Sequence, residues 1–187
     1  MRRHFLAAEI PAIAFVAMQE LFHYPLIGAI LYRLQMIRVD TCGGGRERTN
    51  LAQFAKRAYD SGRPIAIYPE GNLMAPGERE RYRSGIFYLY RDLDLPVVPV
   101  ATSIGLLWNR RDWRKKAGRA AVEFLPAIET GLDKHAFMRR LEETIEAASD
   151  RLIAECSGRP YTPSQLVLRS QGQNGIGQPI NAPREAL

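Results

Sequence analysis

The nine residues Ile65-Ala66-Ile67-Tyr68-Pro69-Glu70-Gly71-Asn72-Leu73 decide the fold of this chain. The apolar start of this stretch predicts a strand, and the Pro-Glu-Gly sequence directly after it predicts a sharp corner. In open α/β sheets, ligands bind at the carboxyl ends of the strands. A carboxylate and a flexible backbone stand at that end here, so the stretch predicts a ligand site.

Strand-like runs and helical patterns alternate on both sides of this corner. The alternation predicts an α/β fold: a single domain with a largely parallel central sheet flanked by helices. The run at residues 96–101 is continuously apolar, which is typical of a strand buried on both faces. The apolar stretch at residues 9–35 is mostly helical in pattern, and Pro25 separates either two helices or a strand and a helix. The remaining predicted strands cover residues 35–40, 65–68 and 120–125, and the predicted helices cover residues 50–59, 84–93 and 133–155.

The composition changes after Cys156. Residues 157–187 are rich in Gly, Pro, Gln, Asn and Ser, which predicts a disordered tail behind a folded domain at residues 1–156. Cys42 and Cys156 form no local pairing pattern, so the sequence argues against a disulfide framework or a metal site and favours a reducing compartment.

The chain is basic, with 26 Lys and Arg residues against 20 Asp and Glu residues and a net charge of +6. This excess suits a phospholipid surface, an acidic carrier protein, a phosphate-bearing substrate or nucleic acid, and it also fits a basic solvated surface. No nucleic-acid-binding motif is present, which argues against the last partner. No apolar run reaches the roughly 20 residues of a spanning helix, so we expect any membrane contact to be peripheral. Trp108 and Trp113 lie among arginines and lysines, in a loop that either faces a membrane or is a solvated charged loop.

The corner resembles the Phe-Pro-Glu-Gly-Thr-Arg box of the glycerolphosphate acyltransferase family, which includes the lysophosphatidic acid acyltransferases. Residues 36–40 resemble the second box of this family, residues 97–100 resemble the fourth, and residues 124–128 resemble the strand and proline that follow. The resemblance implies an O-acyltransferase of phospholipid biosynthesis. Such an enzyme moves a fatty acyl group from an acyl-CoA or acyl carrier protein thioester to the hydroxyl of 1-acylglycerol-3-phosphate.

The same resemblance implies the partners and the location. The acceptor is a lysolipid, the donor is acyl-CoA or an acylated carrier protein, and no further cofactor, metal ion or nucleic acid takes part. The protein is expected in the cytoplasm, peripheral on the inner face of the membrane.

His4 and Glu9 stand in the order of the family's first box, His-x4-Asp, with glutamate in place of aspartate. The resemblance implies that His4 is the general base for the acceptor hydroxyl and that Glu9 orients its imidazole. The alternative is that His4 belongs to a frayed terminus. A base so near the start also leads us to expect that a segment found in the family is missing ahead of it.

Thr41 and Leu73 stand where the family has the two arginines that are thought to hold the acceptor's phosphate. Arg83 lies near a position that is often lysine in the family, and we favour it as the substitute because a guanidinium binds phosphate well. The other candidates are Arg38, Arg46, Arg79 and Arg81. The alternatives are an acceptor without phosphate, such as a lyso-ornithine lipid, or a lipid-binding homologue with impaired catalysis.

Glu70, Gly71 and Asn72 are implied by the resemblance to shape the acceptor site. For Glu70, the sequence leaves open whether its carboxylate orders the site through backbone N–H groups and the acceptor or only caps the following turn.

Overall fold

A parallel three-stranded sheet lies at the centre of the amino-terminal part of the protein. The computed structural model describes residues 13–39, 44–72, 74–108 and 114–167. The sheet contains β1 (Ala14–Met18), β2 (Ile37–Val39) and β3 (Ile65–Ala66) in the order β2-β1-β3. Val16 stands opposite Ile37, and Ala14 stands opposite Ile65. Ile67 and Tyr68 connect the carboxyl end of β3 to the Pro-Glu-Gly corner, so the strand is two residues shorter than predicted.

The connections between these parallel strands are helical, as parallel pairing requires. A 3-10 helix (Gln19–His23) and helix α1 (Pro25–Arg33) join β1 to β2. Helix α2 (Gly44–Asp60) lies between β2 and β3. Pro25 occupies the first turn of α1, where its missing N–H costs nothing. The interpretation of residues 9–35 as a strand followed by a helix is therefore confirmed, and the interpretation as two helices is wrong.

Helix α2 packs a narrow apolar face against this sheet. Leu51, Ala55 and Ala58 are buried at helical spacing. They share one core cluster with Ala14 of β1 and Ile37 of β2. Alanine at the two fully buried positions, Ala14 and Ala55, allows a close approach of the backbones.

A second cluster joins helix α3 (Gly85–Leu93) to helix α4 (Lys134–Ser157). The ring of Tyr90 stacks on the ring of Phe137, with 4.1 Å between their centroids. The Tyr90 hydroxyl donates a hydrogen bond to the Glu129 carbonyl at 2.6 Å and accepts one from the Leu132 N–H at 2.9 Å. The phenol therefore satisfies two backbone groups of the loop that precedes α4.

Strands β5 (Val100–Thr102) and β6 (Val122–Phe124) form an antiparallel pair, and a 3-10 helix (Ile104–Leu106) follows β5. Ala101 is fully buried in a cluster with α4, whereas Val98 and Val100 are exposed. The prediction that residues 96–101 are buried on both faces is therefore wrong. Helix α4 covers only one face of this ribbon, and Pro96 and Pro99 have no N–H for a strand ladder.

The first part of the predicted tail pairs with the domain. Strand β7 (Gln165–Leu166) runs parallel to β4 (Glu78–Arg79), which lies on the loop that follows the Pro-Glu-Gly corner. Backbone hydrogen bonds to β4 hold this segment, and the disorder predicted for residues 157–187 stays a prediction. The part of the tail after residue 167 lies outside the described residues.

Among the helices in the described ranges, none combines the length and the apolar character that crossing a membrane requires.

Candidate functional site

The Pro-Glu-Gly corner is a tight turn with a glycine in the left-handed region. The Gly71 N–H donates to the Tyr68 carbonyl at 3.1 Å, and the φ angle of Gly71 is +71°. A Cβ atom at this position would lie only 2.6 Å from Nε of Arg83. Glycine is required here both for the backbone angle and for the close approach of the Arg83 side chain.

Arg83 is oriented by the backbone of the corner. Its N–H donates to the Pro69 carbonyl at 2.8 Å, and its Nε donates to the Glu70 carbonyl at 3.3 Å. The residue is exposed. Within the described ranges, its two terminal nitrogens have no hydrogen-bond partner, so the outer side of the guanidinium can bind an anion.

The Glu70 carboxylate bonds across the loop to the backbone. Its Oε1 accepts a hydrogen bond from the Glu80 N–H at 3.0 Å. The pKa of Glu70 is raised from 4.5 to about 7: burial is the largest cause, the hydrogen bond from the Glu80 N–H opposes it, and the nearby carboxylates of Glu146, Glu80 and Glu142 add to it. This bond joins Glu70 to a backbone N–H that lies ten residues further along the chain.

Asn72 makes a second bond across the same loop. Its Nδ2 donates to Oε2 of Glu80 at 2.8 Å. Glu80 is therefore bonded to the corner twice: its backbone N–H donates to Glu70, and its carboxylate accepts from Asn72. The two bonds close the loop at residues 70–80 into one unit.

Helix α4 supplies a row of carboxylates beneath this loop. Glu142 pairs with Arg79 at 2.8 Å, and Glu146 accepts a hydrogen bond from the Tyr82 hydroxyl at 2.7 Å. Burial, with the charge of Glu146 next, raises the pKa of the Tyr82 phenol, so this hydroxyl stays a donor. Sequence reasoning missed Glu142 and Glu146 because they are distant from the corner along the chain and match no motif.

The structure brings together four of the predicted site residues, namely Glu70, Gly71, Asn72 and Arg83. Of the other candidate arginines, Arg79 is occupied by Glu142, and Arg38 and Arg81 are exposed without a described bond to the corner. Several predicted positions lie outside the described residues: His4, Glu9, Thr41, Leu73 and the side chain of Arg46.

Helix α1 presents an apolar surface to solvent. Leu26 is 82% exposed and Tyr32 is 77% exposed, and Tyr24, Ile27, Ile30 and Leu34 are also exposed. Gly28 is the buried residue of the helix, and a Cβ there would lie 2.2 Å from the Phe22 carbonyl oxygen. Arg63 fixes the end of the helix by donating to the carbonyls of Leu34 and Gln35.

Trp108 is a second exposed apolar group, with 58% of its surface accessible. The ammonium of Lys115 lies 4.7 Å from the centre of its ring. A bulky indole beside basic residues is thus directed at solvent, although its loop partner Trp113 lies outside the described residues.

The sequence model of the Acyltransferase family matches residues 3–103, which include the corner and Arg83. The chain belongs to the Acyltransferase family. The resemblance seen in the sequence boxes is thereby confirmed.

Relatives of this acyltransferase-family chain have one name in common. The chain is 26% identical over 153 residues to the 1-acyl-sn-glycerol-3-phosphate acyltransferase of Pseudomonas aeruginosa. This alignment covers 82% of the chain and 60% of that protein. The chain is also 27% identical to the human 1-acyl-sn-glycerol-3-phosphate acyltransferase beta, over 78% of this chain and 52% of that protein. The chain thus spans little more than half the length of these relatives.

The fold also matches a solved acyltransferase. The crystal structure of the 1-acyl-sn-glycerophosphate acyltransferase PlsC from Thermotoga maritima aligns with a TM-score of 0.58 over 76% of this chain and 58% of that chain. The aligned sequences are 17% identical, so this likeness shows the fold. The predicted α/β acyltransferase fold is confirmed.

Proposed function

We propose that the protein is an O-acyltransferase that transfers a fatty acyl group from an acyl-CoA or acyl carrier protein thioester to the hydroxyl of a lysophosphatidate. The single observation that carries this proposal is the Pro-Glu-Gly corner, with the exposed Arg83 held against Gly71 through its Nε. Membership of the Acyltransferase family and the names of the relatives support the reaction class.

Arg83 is the proposed ligand of the acceptor's phosphate. Its Nε is used by the Glu70 carbonyl, which leaves the two terminal nitrogens to form a bidentate contact with phosphate oxygens. Neighbouring negative charge would weaken this contact. That charge is reduced at Glu70, because its raised pKa leaves the carboxyl group partly neutral near pH 7.

His4 is the proposed general base, and Glu9 is the residue proposed to orient it. The acceptor oxygen forms a bond to the acyl carbon while the imidazole takes the hydroxyl proton. The carbon–sulfur bond then breaks, and the proton passes to the leaving thiolate. The ester and a free thiol result, without any metal or redox step.

A membrane surface is the proposed place of the reaction, since both the acceptor and the acyl chain are lipids. The exposed apolar side chains of α1 are suited to the interface of a bilayer, and the helix contains no acidic residue. The exposed Trp108 with its basic neighbours suits anionic headgroups.

The test measures thioester consumption with lysophosphatidate and with a lyso-ornithine lipid. Arg83→Ala is expected to raise KM for lysophosphatidate about tenfold to a hundredfold, since charged hydrogen bonds contribute about 1.5–3 kcal/mol. Its KM for the phosphate-free acceptor should not change. Arg81→Ala, an exposed arginine two residues away, is the matched control and should behave like the wild type with both acceptors.

Absence of thioester consumption with either acceptor would refute acyl transfer, and intact liposome binding in that case would favour a lipid-binding homologue. If Arg83→Ala matched the wild type both in turnover of the phosphate-free lipid and in KM for lysophosphatidate, Arg83 would not be the ligand of the phosphate. His4→Ala is expected to lower kcat by about 10²- to 10⁴-fold, and full activity in this variant would remove the base assignment.

A further inference from the structure

Residues 158–167, here called the strap, run from the end of α4 back to the loop behind the corner. Helix α4 ends at Gly158, whose φ angle of +67° turns the chain out of the helix. The strap then reaches β4 and adds β7 beside it. In the described residues, β7 is the strand paired with β4, so the strap supplies the sheet partner of this two-residue strand.

Both backbone and side chain hold the strap in place. The N–H groups of Gln165 and Val167 donate to the carbonyls of Gly77 and Arg79, each at 2.8 Å. Ser164 attaches the strap to α4: its Oγ donates to Oε2 of Glu146 at 2.9 Å, and its N–H donates to Oδ2 of the buried Asp150 at 2.9 Å.

Two routes lead from Ser164 to the corner. In the first, the strap holds β4, and the next residue, Glu80, donates its N–H to the Glu70 carboxylate. In the second, Glu146 uses its other oxygen to accept the Tyr82 hydroxyl, and Tyr82 precedes Arg83, which bonds to the Glu70 carbonyl. Both routes end at Glu70, although Ser164 lies far from it in the sequence.

We infer that Ser164 is a positioning residue for the acceptor site: by binding Glu146 and Asp150 it holds the strap against β4, and the strap fixes Glu70 and Arg83 in the geometry that binds the acceptor. This inference rests on the proposed function for its kinetic consequence. Its structural consequence, the dependence of the corner on the strap, does not depend on the reaction.

The physical reason is the small size of the sheet that β4 forms with the strap. A pair of short strands without a wider sheet is marginal by itself. The ion pair of Arg79 with Glu142, which is about one-third exposed, also joins β4 to α4. Without the Ser164 bonds, we expect the loop at residues 77–83 to open more often and the Glu80 N–H to separate from Glu70.

Two measurements on the full chain test the inference. In Ser164→Ala, amide hydrogen exchange at Glu80 is expected to accelerate about tenfold, which corresponds to the loss of one hydrogen bond to a charged group. In the same variant, KM for lysophosphatidate should rise while kcat stays within about twofold of wild type. Ser164→Thr keeps the hydroxyl and should restore both values.

Thr162→Ala is the matched control, because it removes a hydroxyl from the same strap whose one bond within the described part of the chain is to the nearby Pro160 carbonyl. It should leave both the exchange at Glu80 and KM unchanged. If Ser164→Ala fails to fold, Ser164→Cys takes its place: its thiol is a much weaker donor to Glu146, so exchange at Glu80 should again accelerate.

The outcomes separate this inference from the proposed function. Faster exchange at Glu80 in a protein that consumes no thioester would support the positioning role and refute acyl transfer. Unchanged exchange together with unchanged KM in Ser164→Ala would overturn the positioning role while leaving acyl transfer intact. A fall in kcat alone would also overturn it, because the acceptor's binding geometry would then not be what Ser164 controls.

Discussion

The Pro-Glu-Gly corner and helix α1 are the two most distinctive parts of the molecule, and they are stabilised in opposite ways. The corner is held by directional bonds: Glu70 to Glu80, Asn72 to Glu80, and Arg83 to the Glu70 carbonyl. Helix α1 is held by a steric fit at Gly28 and exposes its large apolar side chains.

This difference indicates which changes each region tolerates. Bonds made by a carboxylate with a raised pKa depend on pH, so the corner is sensitive to protonation. A fit between one glycine and one carbonyl oxygen depends on volume, so α1 is sensitive to a single added methyl group. The exposed side chains of α1 contribute little to folding and are free to serve an interface.

The largest expected effect is that of Gly28→Ala on stability. The new Cβ would lie 2.2 Å from the Phe22 carbonyl oxygen, which belongs to the backbone and cannot rotate away. We expect a loss of about 2 kcal/mol in the free energy of unfolding, measured with urea. Gly85→Ala, where nothing lies within 4 Å of the added Cβ, is the control. A stability of Gly28→Ala equal to that of the control would show that the fit at α1 is not tight.

Gly71→Ala is expected to have the next largest effect, and at the corner it should appear in binding as well as in stability. An alanine with a φ angle near +71° costs about 1–2 kcal/mol, and its Cβ would also displace the Arg83 side chain. Gly62 has a similar φ angle of +75°, and nothing lies within 4 Å of a Cβ atom added there. Gly62→Ala therefore introduces the backbone strain without a steric clash. Both variants should lose similar stability, and only Gly71→Ala should raise KM for lysophosphatidate. Identical kinetics in the two variants would separate Arg83 from the acceptor.

Glu70→Gln tests the pH dependence of the corner. The pKa of about 7 in the folded state lies above the ordinary value of 4.5, so the native state binds more protons between these pH values than the unfolded state does. The stability that protonated Glu70 contributes is complete below the unfolded pKa and is lost as the pH rises through the folded one. The wild type should therefore lose stability over this pH range, and Glu70→Gln should lose less. The measurement is a series of urea unfolding curves across the range, with Glu143→Gln at an exposed position of α4 as the control. Equal slopes for Glu70→Gln and wild type would contradict the raised pKa.

The smallest expected effect on stability is that of Leu26→Ser combined with Tyr32→Ser on α1. Both side chains are largely exposed, so the free energy of unfolding should change by less than about 0.5 kcal/mol. Binding to liposomes with anionic lipid should fall at least tenfold, because each buried apolar side chain contributes about 1.5–3 kcal/mol at an interface. Phe54→Ser, at an exposed position of α2, is the control and should bind like the wild type. Undiminished liposome binding by the double variant would exclude α1 as the membrane-facing surface.

The helices were the most predictable part of the fold. Helices α2, α3 and α4 repeat apolar residues at helical spacing, and this periodicity is a property of each segment alone. Strand β1 was ambiguous, because a strand between two parallel neighbours is apolar throughout and resembles a buried helix. The exposed face of β5 was missed, because the sequence does not show that α4 covers only one side.

At the candidate site, the sequence predicted the corner and Arg83 but not what supports them. Glu70, Gly71 and Asn72 are adjacent along the chain and match a family box. Glu146 and Ser164 reach the same corner only through the packing of α4 and the strap. Their roles depend on distances that no local pattern contains.

The stack of Tyr90 on Phe137 crosses the boundary of the stretch that the family model matches, which ends at residue 103. An expression fragment cut at that boundary would expose the aromatic side of α3 to water and leave the Tyr90 hydroxyl without its two backbone partners in the loop before α4. Such a fragment should aggregate instead of folding. The smallest unit worth expressing for crystallisation or labelling therefore extends through α4, beyond the boundary that sequence similarity marks.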